Sequence, residues 1–233
     1  MDRRTAKSAN LIRLGGRKIE YRFVRRRRRT LGITVDADGL KVCAPLRAPW
    51  RDIEGFVREK ERWILAKLDE WACAPRPAVL RGASGEQLPL FGETVQLELR
   101  DGPVRREGEK IVFNSMPNLV RWLKAAALEV LRPRAAHFAA LLGRPAPPVA
   151  LSNARTQWGV CTEEGTIRLS WRLVHIEPAL ADYVVAHETA HLVELNHSRR
   201  FYRLLASLYP GWLAARERLE LAGAALPILK EAK

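Results

Sequence analysis

Residues 184–202 read VVAHETAHLVELNHSRRFY and hold three of the five histidines in the chain. His187 and His191 are four residues apart, a spacing that on an α-helix stacks both imidazoles on one face. Two ring nitrogens placed this way can grip one zinc ion. Glu188 lies about a quarter turn round from His187, close enough to address a water at that ion without being a ligand itself, so it is the candidate general base. A catalytic zinc takes three protein ligands and keeps one position open. His197 is the candidate third ligand, because residues 192–196 leave enough chain for the helix to end and turn an imidazole back. Glu194 competes for that place, since carboxylates also bind zinc, although its three-residue offset from His191 suits it less well. A plain helix with packed histidines needs neither a glutamate at 188 nor a third histidine just downstream.

The flanking sequence tells what carries this helix. Pro178 is a favourable first-turn residue for its start, and QWGVCTEEGTIRLSWRLV before it reads as two short strands around a Glu-Glu-Gly turn. Within that stretch TIRLSWRL is a candidate edge strand for pairing with an extended peptide. Ser198 is placed to cap a following helix through Phe201, Leu204, Leu205 and Leu208, which Pro210 ends. Upstream, SMPNLVRWLKAAALEVLRP has Pro117 near a helix start and Val120, Leu123, Ala127 and Val130 along one face. Pro133 is expected to kink or end that helix, and Gly143 to stop its continuation.

The N-terminal half reads differently. IEYRFV and TLGITVDADGLKVCAP alternate like strands with turn chemistry at residues 36–39, predicting a hairpin or small sheet. Ile53, Phe56, Val57, Trp63, Ile64, Leu68 and Trp71 recur at helical spacing, predicting one amphipathic helix over residues 50–71. A Pro/Gly-rich stretch at 72–89 breaks the periodicity, and ETVQLELRDGPVRREGEKIVFN reads as a further hairpin. The expected fold is α+β, with a basic β-rich subdomain and its helix over residues 1–114 and the histidine-bearing domain over 115–233.

Composition narrows the classes. The chain has 233 residues, 47% of them hydrophobic, enough for a substantial core. Cys43, Cys73 and Cys161 are widely spaced with no CxxC pair, which argues against a disulfide framework or a cysteine zinc site and for packed thiols. The net charge is +14, of which residues 1–30 carry +10 and the remaining 203 only +4. The basic N-terminal arm, with Arg25 to Arg29 at its centre, is therefore the part that attracts a phosphate, a nucleic acid or an acidic segment. No stretch of about 18 uncharged apolar residues occurs and no apolar h-region follows the first residues, so a cytoplasmic protein with no membrane partner is expected.

The run ARTQWGVCTEEGTIRLSWRLVHIEPALADYVVAHETAHLVELNHSRRFY resembles the signature of the YgjP-like metallopeptidases, relatives of the WLM and SprT-type zincins. TQWGVC, IRLSWRL, DYVVAHETAHL and NHSRRF correspond in order to its pieces. The N-terminal RRRRRTLGITVDADGLKVCAP and IEGFVREKERWIL are similar to the family's basic strand region and following helix. The resemblance implies a zincin-like second domain in which His187, His191 and His197 bind Zn2+ and Glu188 is the catalytic base. Four positions depart from the family's habit: Thr189 replaces a usual leucine, Val160 a serine common after WG, and Arg199 and Tyr202 the usual proline and tryptophan. None removes a ligand.

The expected reaction is hydrolysis of a peptide or protein substrate at a zinc-bound water, without a covalent acyl-enzyme. Tyr183, Tyr202, Arg168 and His175 are candidate oxyanion stabilisers, His175 and His137 reading more readily as structural. The resemblance also raises a UTP-type nucleotide pyrophosphohydrolase, for which the arginine run would neutralise phosphates. Against it, such chemistry commonly relies on carboxylate-held magnesium, and no acidic cluster is present. A third reading is a nucleic-acid-associated SprT-like protease or binding protein that uses the basic arm.

Overall fold

The computed structural model describes residues 9–36, 38–73, 77–155 and 157–230. The first eight residues of the basic arm, Ala37 of the expected turn, residues 74–76 of the Pro/Gly-rich stretch, Thr156 of the TQWGVC motif and residues 231–233 lie outside them. The fold is α+β and divides into two compact units, Met1–Pro75 and Arg76–Lys233. Among the described residues no helix is long and apolar enough to cross a membrane.

In the first unit four strands form one sheet in the order β1-β2-β4-β3: β1 (Ala9–Leu14), β2 (Arg17–Arg26), β3 (Gly32–Asp36) and β4 (Gly39–Pro45). Gly15 and Gly16, both at positive φ, close the β1–β2 hairpin in two residues, with Leu14 opposite Arg17. The β3–β4 pair is a second antiparallel hairpin in which Asp36 faces Gly39, and β2 lies parallel to β4. Alternation puts Ile19, Tyr21, Val35, Leu40, Val42 and Ala44 into a core shared with Ile53, Val57 and Ile64. The helical periodicity over 50–71 resolves into two helices, α1 (Trp50–Glu59) and α2 (Glu61–Cys73), because Lys60 at φ −93, ψ 10 interrupts them.

The second unit begins earlier than the expected boundary at residue 114. Leu88, Leu90, Val95, Leu97, Ile111 and Phe113 share one apolar cluster with Leu119, Leu123 and Leu131, so residues 77–113 belong with the helices that follow. They contribute β5 (Val79–Leu80) and a sheet in the order β6-β7-β9-β8: β6 (Gln87–Leu90), β7 (Glu93–Leu99), β8 (Arg105–Glu107) and β9 (Lys110–Phe113). The stretch read as a hairpin therefore contains three strands, with β7 parallel to β9 and the tight turn between β8 and β9.

Helix α3 (Met116–Leu141) is capped by the Ser115 hydroxyl, which accepts from the Asn118 N–H, and is stopped at Gly143 (φ +64), where the Arg144 N–H returns to the Ala139 carbonyl. Pro133 does not end it. The proline and Glu129, whose carbonyl it leaves without its usual donor, are both exposed, so water can satisfy that carbonyl. A second sheet follows in the order β10-β12-β11: β10 (Val149–Ser152), β11 (Gly159–Cys161) and β12 (Ile167–Ser170). After a 3-10 turn (Trp171–His175) come α4 (Pro178–Ala190), α5 (Arg199–Leu208), α6 (Trp212–Ala224) and β13 (Ile228–Leu229), which pairs with β5. Pro178 opens α4, and the Ser198 hydroxyl caps α5 by accepting from the Arg200 and Phe201 N–H groups.

Candidate metal centre

Helix α4 is buried on almost every side, with Val184, Val185, Ala186 and Ala190 all in the core. That burial holds His187 in place one turn before His191, which stands at the helix C-cap with helical φ −67, ψ −15. A tight turn follows, in which the Val193 and Glu194 N–H groups donate back to the Ala190 carbonyl. The chain then reverses and delivers His197 immediately before the Ser198 cap.

The three histidines converge, with ligand nitrogens all within 4.8 Å of one another. The Nε2 atoms of His187 and His197 face each other at 2.9 Å. Sharing one tetrahedral ion at zinc–nitrogen bonds of about 2.0–2.1 Å sets such atoms roughly 3.3 Å apart, so the pair needs to open only by tenths of an ångström. Glu194 contributes its backbone rather than its carboxylate. Its carbonyl accepts from His191 Nδ1 at 3.0 Å, which fixes the hydrogen on Nδ1 and leaves the Nε2 lone pair for an ion. Among the described residues the buried His187 Nδ1 has no hydrogen-bond partner. Burial and the neighbouring imidazoles press the His187 pKa down to about 4, and burial lowers that of His191, so both are neutral, ligand-competent rings at neutral pH. Three imidazoles converging on one point match the donor set of a catalytic zinc site.

Phe201 is the floor of this triad, an element the sequence reading placed only as helix core. Its ring centroid lies 4.9, 4.5 and 4.7 Å from those of His187, His191 and His197, stacked on the second and edge-on to the others. Tyr202 extends the wall, 6.2 Å from His197 and stacked on Trp212.

Glu188 is buried and outside the histidine cluster. Burial raises its pKa to about 7, offset in part by a hydrogen bond from the Cys161 backbone N–H. The strand that donates this bond comes unusually close. A Cβ on Gly159 would stand 2.5 Å from Glu188 Cγ and 2.9 Å from Oε1, so only glycine lets β11 lie against the carboxylate. The motif WG was visible in the sequence, but nothing local said what the glycine faces. The same burial, together with the charge of Glu188, raises the pKa of the Cys161 thiol, in keeping with a packed cysteine. Thr189, the departure from leucine, is fully buried and satisfied by donating to the Val185 carbonyl at 2.7 Å.

The strand expected at the sheet edge is central. β12 pairs with β10 on one side and β11 on the other, so the free edge nearest α4 belongs to β11. Ser170 donates to the Trp158 carbonyl and Thr162 to that of Thr166, which turns residues 158, 160 and 162 toward β12 and leaves 159 and 161 facing outward. Of the four candidate oxyanion stabilisers, Tyr183 lies 6.0 Å from the His187 ring but is buried, and Tyr202 borders the triad. Arg168 is an exposed β12 residue, and His175 donates from Nδ1 to the Pro89 carbonyl at 2.8 Å as part of the core. Arg216 of α6, which the sequence reading did not single out, lies near enough to Tyr183 to offset part of the rise that burial gives its pKa, and adds a little to the lowering that burial and the neighbouring imidazoles give His187.

Two imidazoles on a buried helix and a third returned by the next turn are placed to hold one metal ion, with the buried Glu188 next to the first of them in sequence. The model of the YgjP-like metallopeptidase domain matches residues 29–222, and the chain belongs to that family of metallopeptidases. The crystal structure of the metallopeptidase zymogen of Pyrococcus abyssi abylysin is similar at 20% identity and TM-score 0.34, covering 47% of this chain and 99% of that one. No curated protein matches the chain.

Proposed function

We propose that the protein is a zinc endopeptidase in which His187, His191 and His197 hold the ion and Glu188 is the general base. The convergence of three imidazoles beside a buried carboxylate carries this reading. When bound, zinc supplies a Lewis-acid charge that makes a coordinated water acidic near neutrality and polarises the scissile carbonyl. Glu188, whose pKa of about 7 suits both directions of transfer, takes the proton of the attacking water and returns it to the amine as the C–N bond breaks. The Cys161 N–H and the bare Cα of Gly159 hold that carboxylate in place. The outward edge of β11 offers the Gly159 N–H and the carbonyls of Gly159 and Cys161 for antiparallel pairing with an extended peptide beside the glutamate.

The test measures bound metal by elemental analysis, then assays the protein and Glu188→Gln on an unfolded protein and on nucleoside triphosphates. The expected result is one zinc in both proteins and proteolysis that falls by on the order of 10²–10⁴-fold in the variant. Triphosphate hydrolysis without proteolysis, or proteolysis surviving in the variant, overturns the assignment.

A further inference from the structure

The run Arg25–Arg29 is not used by the metal centre, and the first unit shows what it builds. Arg25 is set apart from its neighbours. Its guanidinium donates to the carbonyls of Pro45, Leu46 and Ala48 at 3.1, 3.0 and 2.9 Å and lies over the Phe23 ring at 5.5 Å. This one side chain ties the end of β2 to the loop before α1. Arg26, Arg27 and Arg29 are thereby brought to the same edge as Arg47 and Arg51, all of them exposed. Among the described residues none of these five has a carboxylate within 4.0 Å, and residues 23–35 and 44–51 contain no Asp or Glu at all. Between them stands Trp50, 47% exposed although large and aromatic, its ring held edge-on against Phe23 at 5.1 Å and 81°.

Unneutralised guanidinium groups on a braced edge select a polyanion, and an upright, half-bare indole among them offers a face on which a flat ring can stack. An anionic membrane needs a broad apolar face instead. α1 lacks one, since its Ile53 and Val57 are in the core; off the helix, Leu46 and Leu11 are the exposed apolar side chains that accompany Trp50. We propose that the edge formed by Arg26, Arg27, Arg29, Arg47, Arg51 and Trp50 is a binding platform for single-stranded nucleic acid, with phosphates on the arginines and an unpaired base on Trp50. Duplex DNA, its bases already stacked, engages only the arginines.

The experiment is fluorescence anisotropy of a labelled 15-nucleotide oligo(dT) with the full-length protein. For about four phosphate contacts the affinity falls roughly 50-fold between 50 and 200 mM salt. Replacing Arg26, Arg27 and Arg29 together by Ser flattens the salt dependence by about two units of log–log slope. Trp50→Ala weakens binding by about tenfold and leaves the slope unchanged. Unaltered thermal unfolding of each variant confirms that the first unit is intact. The proposal is overturned if the triple variant binds as tightly as the parent, if duplex of the same length binds equally well and Trp50→Ala has no effect, or if phosphatidylserine vesicles are bound while the oligonucleotide is not.

Discussion

The proposed base depends on an atom that is missing. Glu188 can lie against β11 because Gly159 has no Cβ, and the nearest obstacle to one is the Glu188 side chain itself at 2.5 Å. Gly159→Ala forces the carboxylate to move by about an ångström, a displacement that costs on the order of 10²-fold in rate when the group carries chemistry. The expected outcome is a folded protein that binds its metal as before, with kcat reduced and KM little changed. Val160→Ala, at the adjacent partly exposed position, serves as the control. Equal kcat in both variants contradicts a positioning role for the glycine. His175 shows the opposite case, a histidine held by the core rather than by the site. Its Nδ1–H is committed to Pro89, and among the described residues its buried Nε2 has no partner, so burial drives the pKa down to about 4. Because the folded pKa lies below the ordinary 6.5, the unfolded chain binds the proton first as pH drops. The stabilisation is fully present above pH 6.5 and drains away as pH falls toward 4, by about 3 kcal/mol in all. Denaturant unfolding of the parent and His175→Asn, compared between pH 7.5 and 4.5, should show a shallower loss in the variant. Parallel curves would remove His175 from the acid response.

At the level of elements, the legible features were those written in local chemistry. Spacing placed His187 and His191 on one face, Pro178 and Ser198 marked where α4 and α5 begin, and the span after His191 was long enough for the turn that returns His197. Strand order was not legible. Nothing in TIRLSWRL says that β10, beginning eighteen residues before β12, will cover the edge that an isolated hairpin would leave free. Gly159 and Phe201 were equally silent, because each acts through a neighbour remote in sequence, Glu188 for the one and the His187–His191 pair for the other. Pro133 does not end α3, and the reason is physical. Its expected effect assumes that the lost hydrogen bond cannot be replaced, yet the helix turns this position to water while Leu131, Ala135 and Phe138 anchor the buried face. The cost persists even though the helix does. Pro133→Ala restores the donor to Glu129 and should raise stability by about 1–3 kcal/mol in chemical denaturation, with far-UV circular dichroism unchanged. A destabilised variant would mean that the proline shapes the packing of α3.

At the scale of the whole molecule, two separate apolar clusters, one around Val42 and Ile53 and the other around Leu123 and Val185, give each unit its own core. The histidines all belong to the second, and they join the end of α4 to the start of α5 across a turn held by few backbone bonds. An ion bound there stabilises the folded second unit by mass action, because the unfolded segment does not hold three imidazoles within 4.8 Å. At a thousandfold excess over the dissociation constant the gain is about 4 kcal/mol, or roughly 10 °C in the melting temperature of a unit this size. Hydrogen exchange on metal-stripped and zinc-loaded protein locates that gain. Amides of α4, of α5 and of β11, whose Cys161 N–H holds Glu188, should slow on adding zinc, whereas those of β2 and β4 keep their rates. Protection spread evenly over both units would show that they unfold as one cooperative body, and absence of protection at α4 would separate the histidine cluster from metal binding altogether.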